Sequence, residues 1–145
     1  MRDLIGGHRL IAIDTCVWIY HLANNPEFID LTSNLLYLVE TGQAKAVVSE
    51  LTLLEILVRP FQLERADIAD EYETLLIHFP NLRLVPISRD ILIRAASLRA
   101  KYRLRTPDAM IVATAIQQGA TRIITNDEGW KGVTEMDVIC LHDFK

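Results

Sequence analysis

The chain has few of the residues that mark specialised protein classes. Its 145 residues include only two cysteines, six glycines and five prolines, and half of the sequence is hydrophobic. Cys16 and Cys140 are too few and too far apart for a disulfide scaffold or a zinc site, so we expect a reducing, cytoplasmic environment. No apolar run reaches the roughly 18 residues that a membrane-spanning helix needs, and residues 1–8 lack the apolar core of a signal peptide. These absences predict a globular protein of one domain, residues 1–145.

The chain also lacks an excess of positive charge. Its formal net charge is −4, whereas proteins that bind duplex nucleic acid electrostatically tend to be basic. A site built from carboxylates would itself make the total acidic, so the distribution of charge matters more than the sum. The GxSxG, HExxH, P-loop and GxGxxG patterns are absent, which removes several common hydrolase and nucleotide-binding chemistries.

Short apolar runs alternate with amphipathic segments along the whole chain. The runs predict strands at residues 10–13, 46–48, 82–85, 123–124 and 138–140. Between them the periodicity predicts helices from about residue 27 to 42, over 51–58, over 62–78, through 91–98, and from Thr106-Pro107 to Gly119. Thr106 is the expected cap of the last helix, and Pro60 is expected to end the second. Alternating strands and helices predict an α/β fold with a mainly parallel sheet, whose sites form at the carboxyl ends of the strands.

Four carboxylates lie in surroundings where acids are uncommon. Asp14 and Asp127 each follow a buried strand, Glu55 is the one charge in the apolar segment 51–58, and Asp108 opens an apolar helix. We expect the 51–58 helix to be buried on all sides.

Each of these acids also has an ordinary structural explanation. Asp14 could cap a helix, and Asp127 could form a turn. Asp108 could interact favourably with the dipole of the helix that it opens. The acids could also pair separately with basic groups. Burial of an isolated carboxylate costs several kcal/mol unless a cation or proton compensates it. Convergence of all four on one divalent cation such as Mg²⁺ or Mn²⁺ is the more economical explanation.

At these residues the sequence resembles the PIN-domain family, in particular the VapC toxins of bacterial and archaeal toxin–antitoxin pairs. The matching segments are residues 13–15, 49–55, 106–109 with 113–115, and 124–127. The resemblance implies a three-layer α/β/α sandwich around a short, mainly parallel twisted sheet. It also implies an endonuclease that uses Mg²⁺ or Mn²⁺ to hydrolyse single-stranded nucleic acid, usually RNA.

The resemblance assigns site residues by position. Asp14, Glu55, Asp108 and Asp127 correspond to the acidic quartet, with Asp14 and Asp108 as the most direct metal ligands. Supporting hydroxyls are expected at Thr15, Ser49 and Thr125. One departure is visible: family members often continue with a second aspartate and a phenylalanine, where this chain has Glu128-Gly129-Trp130. In the implied mechanism the metal activates a water, and Glu55 or Asp127 orients or deprotonates it.

One stretch of the chain is strongly basic. Between Ile91 and Pro107 there is no acid, and the bases are Arg94, Arg99, Lys101, Arg103 and Arg105. We expect Arg99, Lys101, Arg103 and Arg105 to contact the RNA backbone, with Tyr102 as a possible stacking residue. The other reading is an exposed helix end with solvated charges.

The resemblance further implies a small antitoxin protein as partner, and a homodimer. The apolar region 51–61 and the helix near Leu35-Leu36-Tyr37 could supply either surface or simply belong to the core. Two alternative functions remain open: a PIN-fold binding module without activity, and a metal-dependent phosphatase. Phosphatases of the haloacid-dehalogenase type need a second acid two residues after Asp14, where this chain has Cys16.

Overall fold

A computed structural model describes residues 4–145, so the first three residues of the N-terminal segment discussed above lie outside the described part. The strands are β1 (Leu10–Ile13), β2 (Lys45–Ser49), β3 (Leu82–Val85), β4 (Arg122–Thr125) and β5 (Asp137–Cys140). The helices are α1 (Thr15–Leu22), α2 (Ile29–Glu40), α3 (Glu50–Gln62), α4 (Ala66–His78), α5 (Arg89–Tyr102) and α6 (Thr106–Gln117), with 3-10 turns at Glu128–Trp130 and Leu141–Phe144. None of the described helices is long and apolar enough to cross a membrane.

The five strands form one parallel sheet in the order β3-β2-β1-β4-β5. Side chains alternate between its two faces, as the geometry of a strand requires. Ile11 and Ile13 of β1 pack into a core with α1 to α4, whereas Ala12 packs into a second core with α5 and α6. Both faces of the sheet are therefore covered, which explains why the strands read as continuous apolar runs. The predicted three-layer α/β/α sandwich is confirmed.

The helix around Glu55 differs from the prediction in its burial. Leu54 and Val58 are 60% and 46% exposed, so α3 is not buried on all sides. Its inward stripe consists instead of Thr52, Ile56 and Pro60, which are spaced four residues apart. Since the outward residues are as apolar as the inward ones, the sequence offered no polar face from which the orientation could be read.

Three helix boundaries were also predicted wrongly. Pro60 lies inside α3, which continues to Gln62, and α4 begins at Ala66 rather than at residue 62. Proline φ suits a helix, so the cost is the missing N–H bond to the preceding turn. The α6 helix begins at Thr106 itself, and the cap position is Arg105, with no side-chain capping bond. Because Pro107 has no N–H, the first turn of α6 has one donor fewer to satisfy.

The predicted surface near Leu35 and Leu36 is only partly a surface. Both leucines are buried in the core between α1, α2 and the sheet, at 0% and 3% exposure, whereas Tyr37 is 60% exposed. The helix α1 follows β1 directly, and the sequence suggested it only through the possible cap at Asp14.

Candidate active site

The sheet topology selects one edge for a site. The chain leaves β1 toward β2 on one side, while β4 pairs with β1 on the other, so the strand order reverses between β1 and β4. Ligand sites in open α/β sheets form at the carboxyl ends of the strands at such a switch point. Asp14 directly follows β1, and Asp127 lies two residues beyond β4.

An open cleft of about 420 Å³ occupies this edge. All four acids singled out from the sequence line it, although they come from four separate segments. The other lining residues are Thr15, Cys16, Ile19, Tyr20, Arg105, Asn126 and Glu128. Of the described residues that line the cleft, Arg105 alone is cationic, against five carboxylates.

Asp14 is the most strongly perturbed acid of the cleft. It is 7% exposed and caps α1, with Oδ1 accepting from the Thr15 N–H at 2.7 Å. Its Oδ2 accepts from the Thr125 hydroxyl at 2.7 Å. Burial raises the pKa of Asp14 from 3.8 to about 6; the bonds from Thr125 and Thr15 oppose this rise, and the Asp108 charge adds to it. Without a bound cation, this carboxylate therefore carries an uncompensated desolvation cost.

Thr125 connects two of the acids. While its hydroxyl donates to Asp14, its oxygen accepts from the Asp127 N–H at 3.1 Å. The side chain of Asp127 is exposed, and its Oδ1 accepts from the Gly129 N–H at 2.8 Å. The hydroxyl thereby fixes the position of the loop after β4 relative to the end of β1.

Glu55 is held by a chain of hydroxyls that crosses from α3 to α1. The Thr15 hydroxyl donates to Glu55 Oε1 at 2.7 Å, and Thr52 Oγ1 lies 2.8 Å from Thr15 Oγ1. Because the Thr15 proton is used toward Glu55, the Thr52 hydroxyl donates to Thr15. Thr52 is fully buried, and sequence reasoning missed it. The sequence feature that could have revealed Thr52 is its polar side chain, three positions before Glu55 in an otherwise apolar segment.

Asp108 lies in the first turn of α6 and is 8% exposed. The guanidinium of Arg105 contacts both of its oxygens, with Nε 3.0 Å from Oδ2 and Nη2 3.3 Å from Oδ1. Hydrogen bonding to Asp108 raises the pKa of Arg105, and the charges of Asp127 and Glu55 add to the effect. The guanidinium of Arg105 therefore interacts electrostatically with three acids of the cleft.

The donor chemistry of the cleft fits a hard divalent cation. Its acids supply oxygen ligands, which Mg²⁺ and Mn²⁺ prefer, and the cleft leaves room for the waters that Mg²⁺ usually keeps. The acids do not close tightly around one point: among residues 4–145, the one group of three candidate ligands within 4.8 Å is Glu128, Cys140 and Asp143. That group already holds a cation, since Lys131 Nζ lies 2.8 Å from Glu128 and 2.7 Å from Asp143.

The remaining predicted site residues have defined positions. Ser49 is buried and caps α3, with Oγ accepting from the Leu51 N–H at 3.1 Å, and it does not line the cleft. In the basic stretch, Arg99 Nε donates to the Leu104 carbonyl at 2.9 Å, and Lys101 lies 3.6 Å from Glu135.

Tyr102 is also tied to the protein rather than free to stack. Its hydroxyl donates to Glu135 and accepts from the Thr134 N–H at 3.3 Å. Arg105 is thus the member of the basic stretch that lines the cleft, while Arg103 is exposed at the end of α5.

Asn126 and Tyr20 line the cleft and were not anticipated. The Asn126 amide donates to the Tyr20 hydroxyl at 3.2 Å, and its carbonyl accepts from the His142 N–H at 2.9 Å. Asn126 therefore ties the Asp127 loop to α1 and to the C-terminal turn. At Glu128-Gly129-Trp130, where family members often have an aspartate and a phenylalanine, Trp130 is buried in the core beside α5 and α6. The aromatic residue at this position therefore belongs to the core.

Comparison with solved structures finds the same fold repeatedly. A toxin–antitoxin complex from Klebsiella pneumoniae is 22% identical with a TM-score of 0.68, covering 90% of this chain and 97% of that one. VapBC2 from Rickettsia felis, bound to a DNA fragment from its promoter, is 17% identical with a TM-score of 0.73, covering 90% and 98%. FitAcB from Neisseria gonorrhoeae is 20% identical with a TM-score of 0.66, covering 91% and 98%.

Sequence comparison identifies the family. No curated protein gives a significant match to the chain. The family model of the PIN domain matches residues 11–136, a span that contains all four acids of the cleft. The chain therefore belongs to the PIN-domain family.

Proposed function

We propose that this protein is a metal-dependent endoribonuclease that hydrolyses phosphodiester bonds of RNA, and that it is the toxin of a toxin–antitoxin pair. The observation that supports the proposal most is the convergence of Asp14, Glu55, Asp108 and Asp127 on one cleft. Two of the four are buried, and one guanidinium faces five carboxylates there. Since Lys131 pairs with Glu128, Arg105 is, within the described part of the chain, the one cation lining the cleft for the other four acids. A structural role alone gives no reason to gather four acids around one guanidinium.

The four acids have different tasks in this proposal. Asp14 and Asp108 are the direct ligands of Mg²⁺ or Mn²⁺, because they are the buried pair and each is fixed at the start of a helix. The bound cation would supply Lewis-acid activation of water and would stabilise charge on the phosphoryl group. Glu55 orients the attacking water, since Thr15 holds Oε1 and leaves Oε2 for it. Asp127 assists from the exposed side of the cleft.

The RNA approaches over the basic stretch that leads into α6. Arg105 lines the cleft and Arg103, two residues before it, is exposed; both offer planar donors that suit phosphate oxygens. Arg99 and Lys101 add positive charge, although each already has an internal partner. This division predicts that substitution of Arg103 or Arg105 weakens RNA binding more than substitution of Arg99 or Lys101.

The decisive test is cleavage of a mixed structured RNA pool with Mg²⁺, with Mn²⁺ and with EDTA. We expect discrete cleavage products that require metal and are lost in an Asp14→Asn/Asp108→Asn variant. The matched control is Asp70→Asn, which removes an exposed acid of α4 outside the cleft. If folded, partner-free protein binds metal but cleaves no RNA, the fold serves as a binding module instead; hydrolysis of small phosphate monoesters would favour a phosphatase.

The antitoxin would occupy an apolar groove that adjoins the cleft. The groove measures about 160 Å³ and is lined by apolar residues of α1, α3 and α4, and Ile19 and Glu55 line both it and the cleft. On the outer side of α3, Leu54, Val58 and Phe61 are exposed. A partner segment with apolar anchors for the groove and a basic group for the acids fits both surfaces. A homodimer is the second assembly we propose.

Where a neighbouring gene encodes a small protein, co-expression of the two proteins tests the partner. We expect a stable complex, whose mass is measured by light scattering after size exclusion. In the RNA cleavage assay this complex should be inactive. The same measurement on the isolated chain gives its oligomeric state. Full cleavage by a saturated complex would contradict an antitoxin on this surface.

A further inference from the structure

The acidic cleft already contains one positive charge of its own. Arg105 contacts both oxygens of Asp108 at 3.0 and 3.3 Å and lines the cleft together with the other acids. Its guanidinium thus faces one of the two carboxylates proposed above as direct metal ligands. A divalent cation that binds Asp108 has to compete with this guanidinium for the same oxygens.

The two members of the pair differ in exposure. The Asp108 side chain is 11% exposed, whereas the Arg105 side chain is 77% exposed. The backbone of Arg105 is fixed, because its carbonyl accepts from the Ala109 N–H at 2.9 Å in the first turn of α6. The carboxylate is therefore held in place, while the long arginine side chain can leave it by rotation about its own bonds.

We propose that Arg105 is an exchangeable counterion of the cleft, which neutralises Asp108 in the metal-free protein and is displaced when a divalent cation binds. This inference rests on the metal-dependent function proposed above. Because the Arg105 side chain is mostly exposed, its ion pair with Asp108 is weak enough for a cation to break. The displaced guanidinium stays tethered at the mouth of the cleft, where it can contact the phosphate of a bound RNA, so metal binding and RNA contact use the same side chain in turn.

A simpler role for the pair predicts a different result. If the Arg105–Asp108 contact only stabilises the start of α6, its loss lowers stability slightly and leaves metal affinity unchanged. If Arg105 supports the metal ligands, its loss weakens metal binding. A competing counterion predicts tighter metal binding after the arginine is removed, and more tightening than the loss of one positive charge elsewhere on the protein produces.

The test is a titration of Mn²⁺ into metal-stripped protein at low ionic strength, followed by calorimetry or by the free-Mn²⁺ resonance signal. Arg105→Gln should bind Mn²⁺ about three- to tenfold more tightly, since it removes both an exposed ion pair and repulsion of the cation. Arg105→Lys keeps the positive charge but lacks the two forked donors of the guanidinium. Its affinity for Mn²⁺ should lie between those of the unmodified protein and Arg105→Gln. Added salt should shrink the difference.

The matched control is Arg83→Gln, which makes the same charge change at the exposed position of β3, near Leu10 and Lys45 at the other end of the strands. Equal tightening by Arg83→Gln would reduce the effect to net charge and overturn the proposal.

The outcomes separate this inference from the function on which it rests. Equal or weaker Mn²⁺ binding by Arg105→Gln, with measurable binding by the unmodified protein, overturns the counterion and leaves the metal site standing. Absence of binding by both overturns the counterion and the metal site together. Binding by Arg105→Gln alone supports the counterion in its strongest form. None of these readouts depends on RNA cleavage.

Discussion

Replacement of Asp14 by asparagine should stabilise the metal-free protein while removing its function. Burial raises the pKa of Asp14 from 3.8 to about 6 in the folded chain. The folded state therefore holds the proton more tightly than the unfolded state does. The stabilisation that this gives is fully present below about pH 4 and is lost as the pH rises through about 6. At neutral pH the charged carboxylate consequently costs folding free energy.

The magnitude follows from the same shift. A change of roughly 2 pKa units corresponds to about 3 kcal/mol, which is an upper limit for the gain at neutral pH. The new amide can accept from the Thr15 N–H, but its NH₂ group faces the Thr125 hydroxyl, which must turn away. One imperfect hydrogen bond costs about 1 kcal/mol. We therefore expect Asp14→Asn to be more stable by about 1–2 kcal/mol near pH 7.5.

The assay is urea unfolding in EDTA at a series of pH values. The advantage of Asp14→Asn should shrink by about 1 kcal/mol toward pH 5, because the native carboxyl is then mostly protonated. Asp70→Asn, at an exposed position on α4, should show no comparable advantage. A less stable Asp14→Asn variant in EDTA, or an advantage that is the same at pH 5 and pH 7.5, would refute the argument from desolvation.

Three further predictions concern metal, catalysis and partner binding. Mn²⁺ at about 100 times its dissociation constant should stabilise the unmodified protein by about 2.7 kcal/mol. It should not stabilise the Asp14→Asn/Asp108→Asn variant, and thermal unfolding with and without Mn²⁺ measures the difference. Thr52→Val breaks the hydroxyl chain that holds Thr15 and Glu55, so kcat should fall several-fold with little change in KM or in the melting temperature. Phe61→Asp places a charge on the apolar outer side of α3 and should abolish antitoxin binding while RNA cleavage is retained.

Each of these predictions has a result that contradicts it. Equal stabilisation of the double variant by Mn²⁺ would move the metal site away from Asp14 and Asp108. A rise in KM without a fall in kcat for Thr52→Val would mean that the hydroxyl chain serves RNA binding rather than the reaction. Antitoxin inhibition of Phe61→Asp at the usual concentration would place the partner on a different surface.

The fold was readable from the sequence because its strands are buried on both faces. A parallel sheet covered by helices gives short continuous apolar runs, and these lie within two residues of all five observed strands. The same property made α3 unreadable, since Leu54 and Val58 are apolar yet exposed. Periodicity reveals orientation only where one face is polar. The exposed apolar side of α3 therefore looked like core in the sequence.

The acids of the site were predictable by position, whereas their supports were not. Asp14 and Asp127 follow strands, so the topology of parallel sheets brings them to one edge. The contacts of Thr15 with Thr52 and Glu55 join residues 37 and 40 positions apart, and no local pattern encodes such a pairing. Asn126 and Tyr20 are 106 positions apart, so their contact too became visible only in the folded chain.

The structural and functional explanations of the acids turn out to be compatible rather than exclusive. Asp14 caps α1, Asp127 caps the 3-10 turn at Glu128–Trp130, and Asp108 lies in the first turn of α6. Backbone N–H groups and helix dipoles at these positions stabilise negative charge. They offset part of the repulsion that the acids exert on one another. Glu55 is the exception: it lies in the middle of α3 rather than at the start of a helix, and the hydroxyl of Thr15, the first residue of α1, donates to it. Asp14 and Asp127 thus accept from backbone N–H groups, Asp108 from the Arg105 guanidinium and Glu55 from a hydroxyl. Because Glu55 has neither a backbone donor nor a paired cation among residues 4–145, the Thr52–Thr15–Glu55 chain is where the loss of one hydroxyl should matter most.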